Sequence, residues 1–262
     1  MVLTNSMAFF DINYNKYASV TGTNLNTSTA VYAYDNRSDL GNVTWTSQAG
    51  TYIADYGSGT FFYADSFFIN NHNFASGNLQ VYTGTSYLTI ASFANLTTNA
   101  YHYQHNATIT AYRVQFVVNS TQAGEAARAG ELITTEKRFS LVDNPSRYVP
   151  LIRPIGQGNV LFDGRMIWND RSNIFEADIS WEYLQGDSNT LTNTDLQNMT
   201  ELARRRTSFL FWPNANNDLV NMATWRKEDV YKVKILDDAT YEFASPGLQH
   251  VIRASYKFME VQ

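Results

Sequence analysis

The sequence predicts a mainly β protein made of two β-sandwich-type domains, the second flanked by one α-helix. Three observations carry this. Short β-branched and aromatic runs alternate with turn residues along most of the 262-residue chain. Apolar residues recur at helical spacing in one stretch, 196–203. Charge density changes abruptly near residue 123: residues 1–122 hold eight charged side chains and the remaining 140 hold 35. Asn, Ser and Thr fill 43 of the first 122 positions. A shift of that kind marks two modules rather than one continuous domain.

In the first module, residues 60–64, 65–69, 79–82, 87–90 and 108–118 have strand composition. Turn residues separate them at 57–59, 70–71, 76–78 and 83–84, and Gly57 and Gly84 permit tight turns with positive φ. Many short strands without an amphipathic helix imply an antiparallel sandwich. Residues 122–133 read either as a flexible linker or as a last strand of this module. Pro145 and Pro150 follow, which sets the expected domains at 1–145 and 146–262.

In the second module, strands are expected at 159–163, 165–168, 175–184, 208–212, 231–236 and 250–261. From Phe175 to Trp181 apolar and polar residues alternate, so one face is buried and one is wet. The helix begins at Asn193 or Thr194, either of which can cap it, with Asp195 favoured by the dipole in the first turn. Leu196, Met199, Leu202 and Ala203 would pack on the sheet. Arg204, Arg205 and Arg206 point in different directions on a helix and read as solvated ends.

Bulk properties exclude several functions. A net charge of -5 argues against nucleic-acid binding, which needs a basic face. The absence of cysteine removes disulfides, thiolate metal sites and cysteine nucleophiles. No apolar run approaches the roughly 18–20 residues that span a bilayer. The N-terminus carries no basic stretch followed by an apolar one, so no secretory signal is expected. The seven N-x-S/T sequons therefore reflect an Asn/Thr-rich composition.

Two resemblances carry the functional expectation. The first module resembles the discoidin-like, galactose-binding-type sandwich in Tyr52-Ile53-Ala54-Asp55-Tyr56-Gly57, in residues 64–69 leading to His72-Asn73-Phe74, in Leu79-Gln80-Val81-Tyr82-Thr83-Gly84 and in Ala111-Tyr112-Arg113-Val114-Gln115-Phe116. The second resembles distal-tail and tail-tube-like proteins of tailed phages. The stretches concerned are Arg165-Met166-Ile167-Trp168, residues 179–184, the helix, Arg206-Thr207-Ser208-Phe209-Leu210-Phe211-Trp212-Pro213, residues 225–235 and the long final strand. Such proteins fold as a small sandwich with one helix and assemble into rings. The resemblances imply a non-catalytic virion protein of a bacteriophage tail or baseplate, assembled in the host cytoplasm. It would form a ring with its own copies and dock to neighbouring tail proteins, with no nucleic-acid or membrane partner.

The alternative is carbohydrate binding by the first module for host-surface adhesion. Trp45, Tyr52, Tyr56, Tyr63 and Tyr82 would stack on sugar rings, with polar groups such as those of His72 and Asn73 beside them. The bland reading is that these aromatics fill a core or an interface. No catalytic, cofactor-binding or metal-binding residue is expected. His102 and His105 lie three apart, on opposite faces of a strand. His72 and His250 have no evident carboxylate–serine partners. Asp178 and Glu182 lie about 13 Å apart on an extended strand, beyond the spacing of glycosidase carboxylates. Gly156-Gln157-Gly158 reads as a turn, since no helix start follows it.

Overall fold

The computed structural model describes residues 5–34, 41–57, 62–141, 147–160, 166–182, 193–205, 207–216, 230–236, 240–243 and 251–261. The expected features at 58–61, at Pro145, at 161–163, at Arg165, at 183–184, at Arg206, at 225–229 and at His250 lie outside the described residues. The strands are β1 (Asn5–Phe10), β2 (Ser19–Thr21), β3 (Val43–Thr44), β4 (Gly50–Asp55), β5 (Phe62–Asn70) and β6 (Phe74–Tyr82). They continue as β7 (Tyr87–Phe93), β8 (Ala100–Ala111), β9 (Arg113–Thr121), β10 (Arg128–Ala129), β11 (Glu131–Thr135) and β12 (Lys137–Leu141). The C-terminal set is β13 (Arg147–Val160), β14 (Met166–Glu182), β15 (Phe209–Asn216), β16 (Tyr231–Ile235), β17 (Thr240–Phe243) and β18 (Val251–Glu260). Helix α1 (Asn193–Arg205) lies between β14 and β15. The chain is mainly β and antiparallel, as its composition predicts.

The described residues between 19 and 135 form a sandwich. Its larger sheet runs β2-β4-β9-β6-β7 and its smaller one β11-β5-β8. Alternation fixes the register: Tyr52 and Ala54, Leu79 and Val81, and Val114, Phe116 and Val118 point inward from the larger sheet. Phe62, Ala64, Phe67, Ile69 and Leu132 meet them from the smaller one. The junction 122–133, open between linker and strand in the sequence, ends in β10 and β11. Gly57 and Gly84 take φ of +91° and +121°, as their turns require.

The C-terminal unit is one sheet in the order β12-β1-β15-β16-β18-β14-β13, with β17 also pairing β18. One face carries Phe9, Phe209, Phe211, Phe258 and Phe175, and α1 covers it with Met199, Leu202 and Ala203. Phe9 stacks on Phe139 at 4.6 Å and Phe175 on Tyr231 at 3.8 Å. Pro150 and Pro154 lie in β13, an outermost strand, where a missing N–H is tolerated.

This topology corrects the boundary at 145. β1 pairs with β12 on one side and β15 on the other, so β1 and β12, both of which precede residue 145, belong to the C-terminal sheet. The sandwich is an insertion between two adjacent strands, not a domain that precedes the second. Composition missed this because β1 is six residues long and uncharged. A second correction concerns Gly156-Gln157-Gly158. These residues are extended within β13, at a register irregularity opposite β14, where glycine accommodates the bulge.

The insertion is also packed onto the sheet that carries it. Ser66–Asn70 of β5 are all buried, although a sandwich strand with one free face would alternate. Phe67 and Ile69 enter the sandwich core. Phe68 turns the other way, with Ile133, and meets Ala8, Phe10, Leu210 and Trp212 of the C-terminal sheet.

Candidate functional site

The candidate contact residues do not form one site. Trp45 is buried; its Nε1 donates to the Thr51 carbonyl at 3.1 Å and its ring meets Phe74 edge-on. Tyr52 is fully buried against Phe116. Tyr56 packs on Phe62 at 4.6 Å and its hydroxyl donates to Asn15 Oδ1 at 2.8 Å. These three are held in or against the core, so the bland reading describes them. Tyr63 is 54% exposed on β5.

His72 and Asn73 are buried and tie loops together. The Phe74 N–H donates to His72 Nδ1 at 3.0 Å, which places the proton on Nε2 and requires a neutral ring. Burial lowers its pKa to about 4. Asn73 Nδ2 donates to the Ala126 carbonyl and Oδ1 accepts from the Arg128 N–H, both at 2.9 Å, clamping the segment between β9 and β10. The other close histidines sit as strand alternation requires. His102 stacks in the interface with Phe68, and burial lowers its pKa to about 3. His105 Nδ1 lies 2.9 Å from the Tyr103 hydroxyl. Among the described residues, no group of three or more His, Asp or Glu side chains is placed to hold a metal ion. Asp178 is exposed and faces Lys257 across the β14–β18 register.

Tyr82, like Tyr63, lies outside the core, and it sits on the outer face of the larger sandwich sheet. The register puts Asp55, Arg113, Tyr82 and Tyr87 directly opposite one another across β4, β9, β6 and β7. Arg113 Nε donates to Asp55 Oδ2 at 2.6 Å, and its guanidinium lies 5.0 Å from the Tyr82 ring centre. Tyr82 and Tyr87 have centroids 5.3 Å apart with planes at 52°. The Tyr82 hydroxyl donates to the Gly84 carbonyl at 2.9 Å, so the turn holds the ring. The next outward row brings Gln115, Gln80 and Thr89 side by side. Sequence reasoning found Tyr82 but not its neighbours. The signal was there in the polar positions alternating with Leu79 and Val81, yet the pairing of β6 with β9 joins residues over thirty positions apart.

No protein-family model matches the chain, and no curated protein matches it. Solved structures do resemble its N-terminal half. The family 32 carbohydrate-binding module from Clostridium perfringens NanJ, solved with galactose, is 12% identical, covers 50% of this chain and 99% of its own, and has a TM-score of 0.42. Chitosan-binding module 1 from a Paenibacillus sp. IK-5 chitosanase/glucanase is 14% identical, with 47% of this chain and 97% of that one covered and a TM-score of 0.41. A third, the C. perfringens CpGH89CBM32-5 module solved with GalNAc-β-1,3-galactose, is 16% identical over 47% of this chain and 96% of its own, at a TM-score of 0.40.

Proposed function

We propose that the chain is a non-catalytic structural protein of a bacteriophage tail or baseplate. Its C-terminal sheet associates with further copies in a ring and with neighbouring tail proteins, and it holds the inserted sandwich at the periphery. The observation that carries this reading is the insertion itself. A module interrupting two adjacent strands is tethered twice, and the apolar contact around Phe68 and Trp212 fixes its orientation. That arrangement suits a rigid display element on an assembled scaffold. The outermost strand β13 adds support: it is 14 residues long and exposes Val149 and Leu151. Exposed apolar side chains at a sheet edge offer a contact to another copy, and Pro150 and Pro154 make that contact one between side chains rather than a continued hydrogen-bond ladder. Native mass spectrometry should give a closed oligomer, and antibodies should find the chain in purified tails. A stable monomer at high concentration that is absent from virions would sink the proposal.

A second reading has its own support: the sandwich binds carbohydrate, as an adhesion module. The row of Tyr82, Tyr87 and Arg113 with the amide and hydroxyl row beside it favours this, because rings and hydrogen-bonding groups lie together on an open surface. A glycan array probed with the full chain tests it, and an empty array would remove it.

A further inference from the structure

We propose that the outer face of the sheet β2-β4-β9-β6-β7 is a binding site for an uncharged polysaccharide chain; this rests on the carbohydrate reading above and assigns it a surface and a ligand class. The first argument is charge. Across β4, β6, β7 and β9, Asp55 and Arg113 are the sole charged residues, and they pair with each other at 2.6 Å. An acidic or basic polymer finds no countercharge there, whereas a neutral one loses nothing by lying on it.

The second argument is chemical complementarity. Sugar hydroxyls both donate and accept, and amide and hydroxyl side chains answer both roles. Gln80, Thr89 and Gln115 share one cross-strand row, and Asn78 and Ser92 lie on the next. These groups are already oriented: Gln80 Nε2 donates to Thr89 Oγ1 at 3.1 Å, and Ser92 Oγ donates to Asn78 Oδ1 at 2.8 Å. Partners held in place lose less freedom when a ligand arrives. The Tyr82–Tyr87 pair borders these rows, with Tyr87 36% exposed, and supplies a ring surface for the apolar face of a pyranose.

The third argument is placement. The C-terminal sheet packs on the other sheet of the sandwich, through Phe68 and Ile133. The face in question is therefore the side of the insertion turned away from the scaffold. Four strands at about 4.8 Å spacing, and three outward rows at about 6.8 Å spacing, make it roughly 14 Å in each direction. A polymer can reach it without meeting the C-terminal sheet.

Affinity electrophoresis of the full-length chain in gels containing hydroxyethylcellulose, galactan, chitosan or alginate tests the assignment. Retardation by a neutral polymer, weakened about tenfold in the Gln80→Ala/Tyr87→Ala double variant, is the expected result. Circular dichroism and thermal unfolding of that variant establish that it is folded, and Gln115→Ala serves as a milder second probe. Retardation by chitosan or alginate alone overturns the inference about charge. Equal retardation of wild type and both variants by a neutral polymer overturns the site while the carbohydrate reading stands. No retardation of the wild type in any gel, together with an empty glycan array, overturns both.

Discussion

Phe68 and His102 stack face to face, with ring centroids 4.2 Å apart and planes 15° from parallel. Trp212, from the C-terminal sheet, meets both edge-on at 5.8 and 4.7 Å. Phe68 and His102 belong to the inserted sandwich and Trp212 to the sheet that carries it. This aromatic trio joins two units that composition alone would have treated as beads on a string.

Phe68→Ala therefore acts on the coupling between units as well as on stability. Truncating a fully buried Phe typically costs about 3–5 kcal/mol. The sandwich core proper, built on Phe67 and Ile69, keeps its contacts. Denaturation followed by calorimetry should change from a single transition to two, with the sandwich melting separately. A single transition displaced to lower temperature would mean that the units are coupled elsewhere.

Acid should weaken the fold through the two buried imidazoles. Burial lowers the pKa of His72 to about 4 and of His102 to about 3, against an ordinary value of 6.5. As pH falls below 6.5 the unfolded chain takes up protons that the native chain refuses, so stability decreases. The loss continues until each native pKa is reached and then levels. His102→Phe removes one of these groups and retains an aromatic ring in the stack. Its melting temperature should fall less steeply between pH 6.5 and pH 4 than that of the wild type; parallel curves would contradict the assignment.

The nested topology predicts where the chain can be cut. A fragment spanning 11–136 contains the whole sandwich core and should fold cooperatively on its own. A fragment spanning 146–262 leaves β15 without β1, exposing the backbone edge along Phe209–Asn216 and the Phe211 and Trp212 rings. It should aggregate on expression, and adding a synthetic β1 peptide should raise its solubility. Light scattering distinguishes the outcomes.

Gly77 and Gly57 should respond differently to alanine. A Cβ at Gly77 would sit 2.1 Å from the Val117 carbonyl oxygen and 2.6 Å from Phe93 Cζ. The strand would have to move, at a cost of about 1–3 kcal/mol. At Gly57 nothing lies within 4 Å, and the penalty comes from φ of +91° alone, roughly 1–2 kcal/mol. Urea titration reads the two costs, and NMR spectra should show Gly77→Ala perturbing the chemical shifts of β9 and Phe93, and Gly57→Ala only those of its own turn.

Readable in the sequence are the β class, segments of β5–β9, β14–β16 and β18, the α-helix with Met199, Leu202 and Ala203 on its buried side, and the positive-φ turns at Gly57 and Gly84. These are local properties: alternation, helical spacing and backbone sterics act over a few residues. The sequence also contained the charge break, but that break marks where composition changes and not where the chain crosses between units. That β1 pairs with β12 and β15, that Phe68 faces away from its own sandwich, and that Trp45 and Tyr52 are core while Tyr82 is surface all depend on long-range packing. The reason is physical. A strand's partner is chosen by which edge it meets after long loops have closed, and nothing in six uncharged residues near the N-terminus says that their neighbours lie at 137–141 and 210–216.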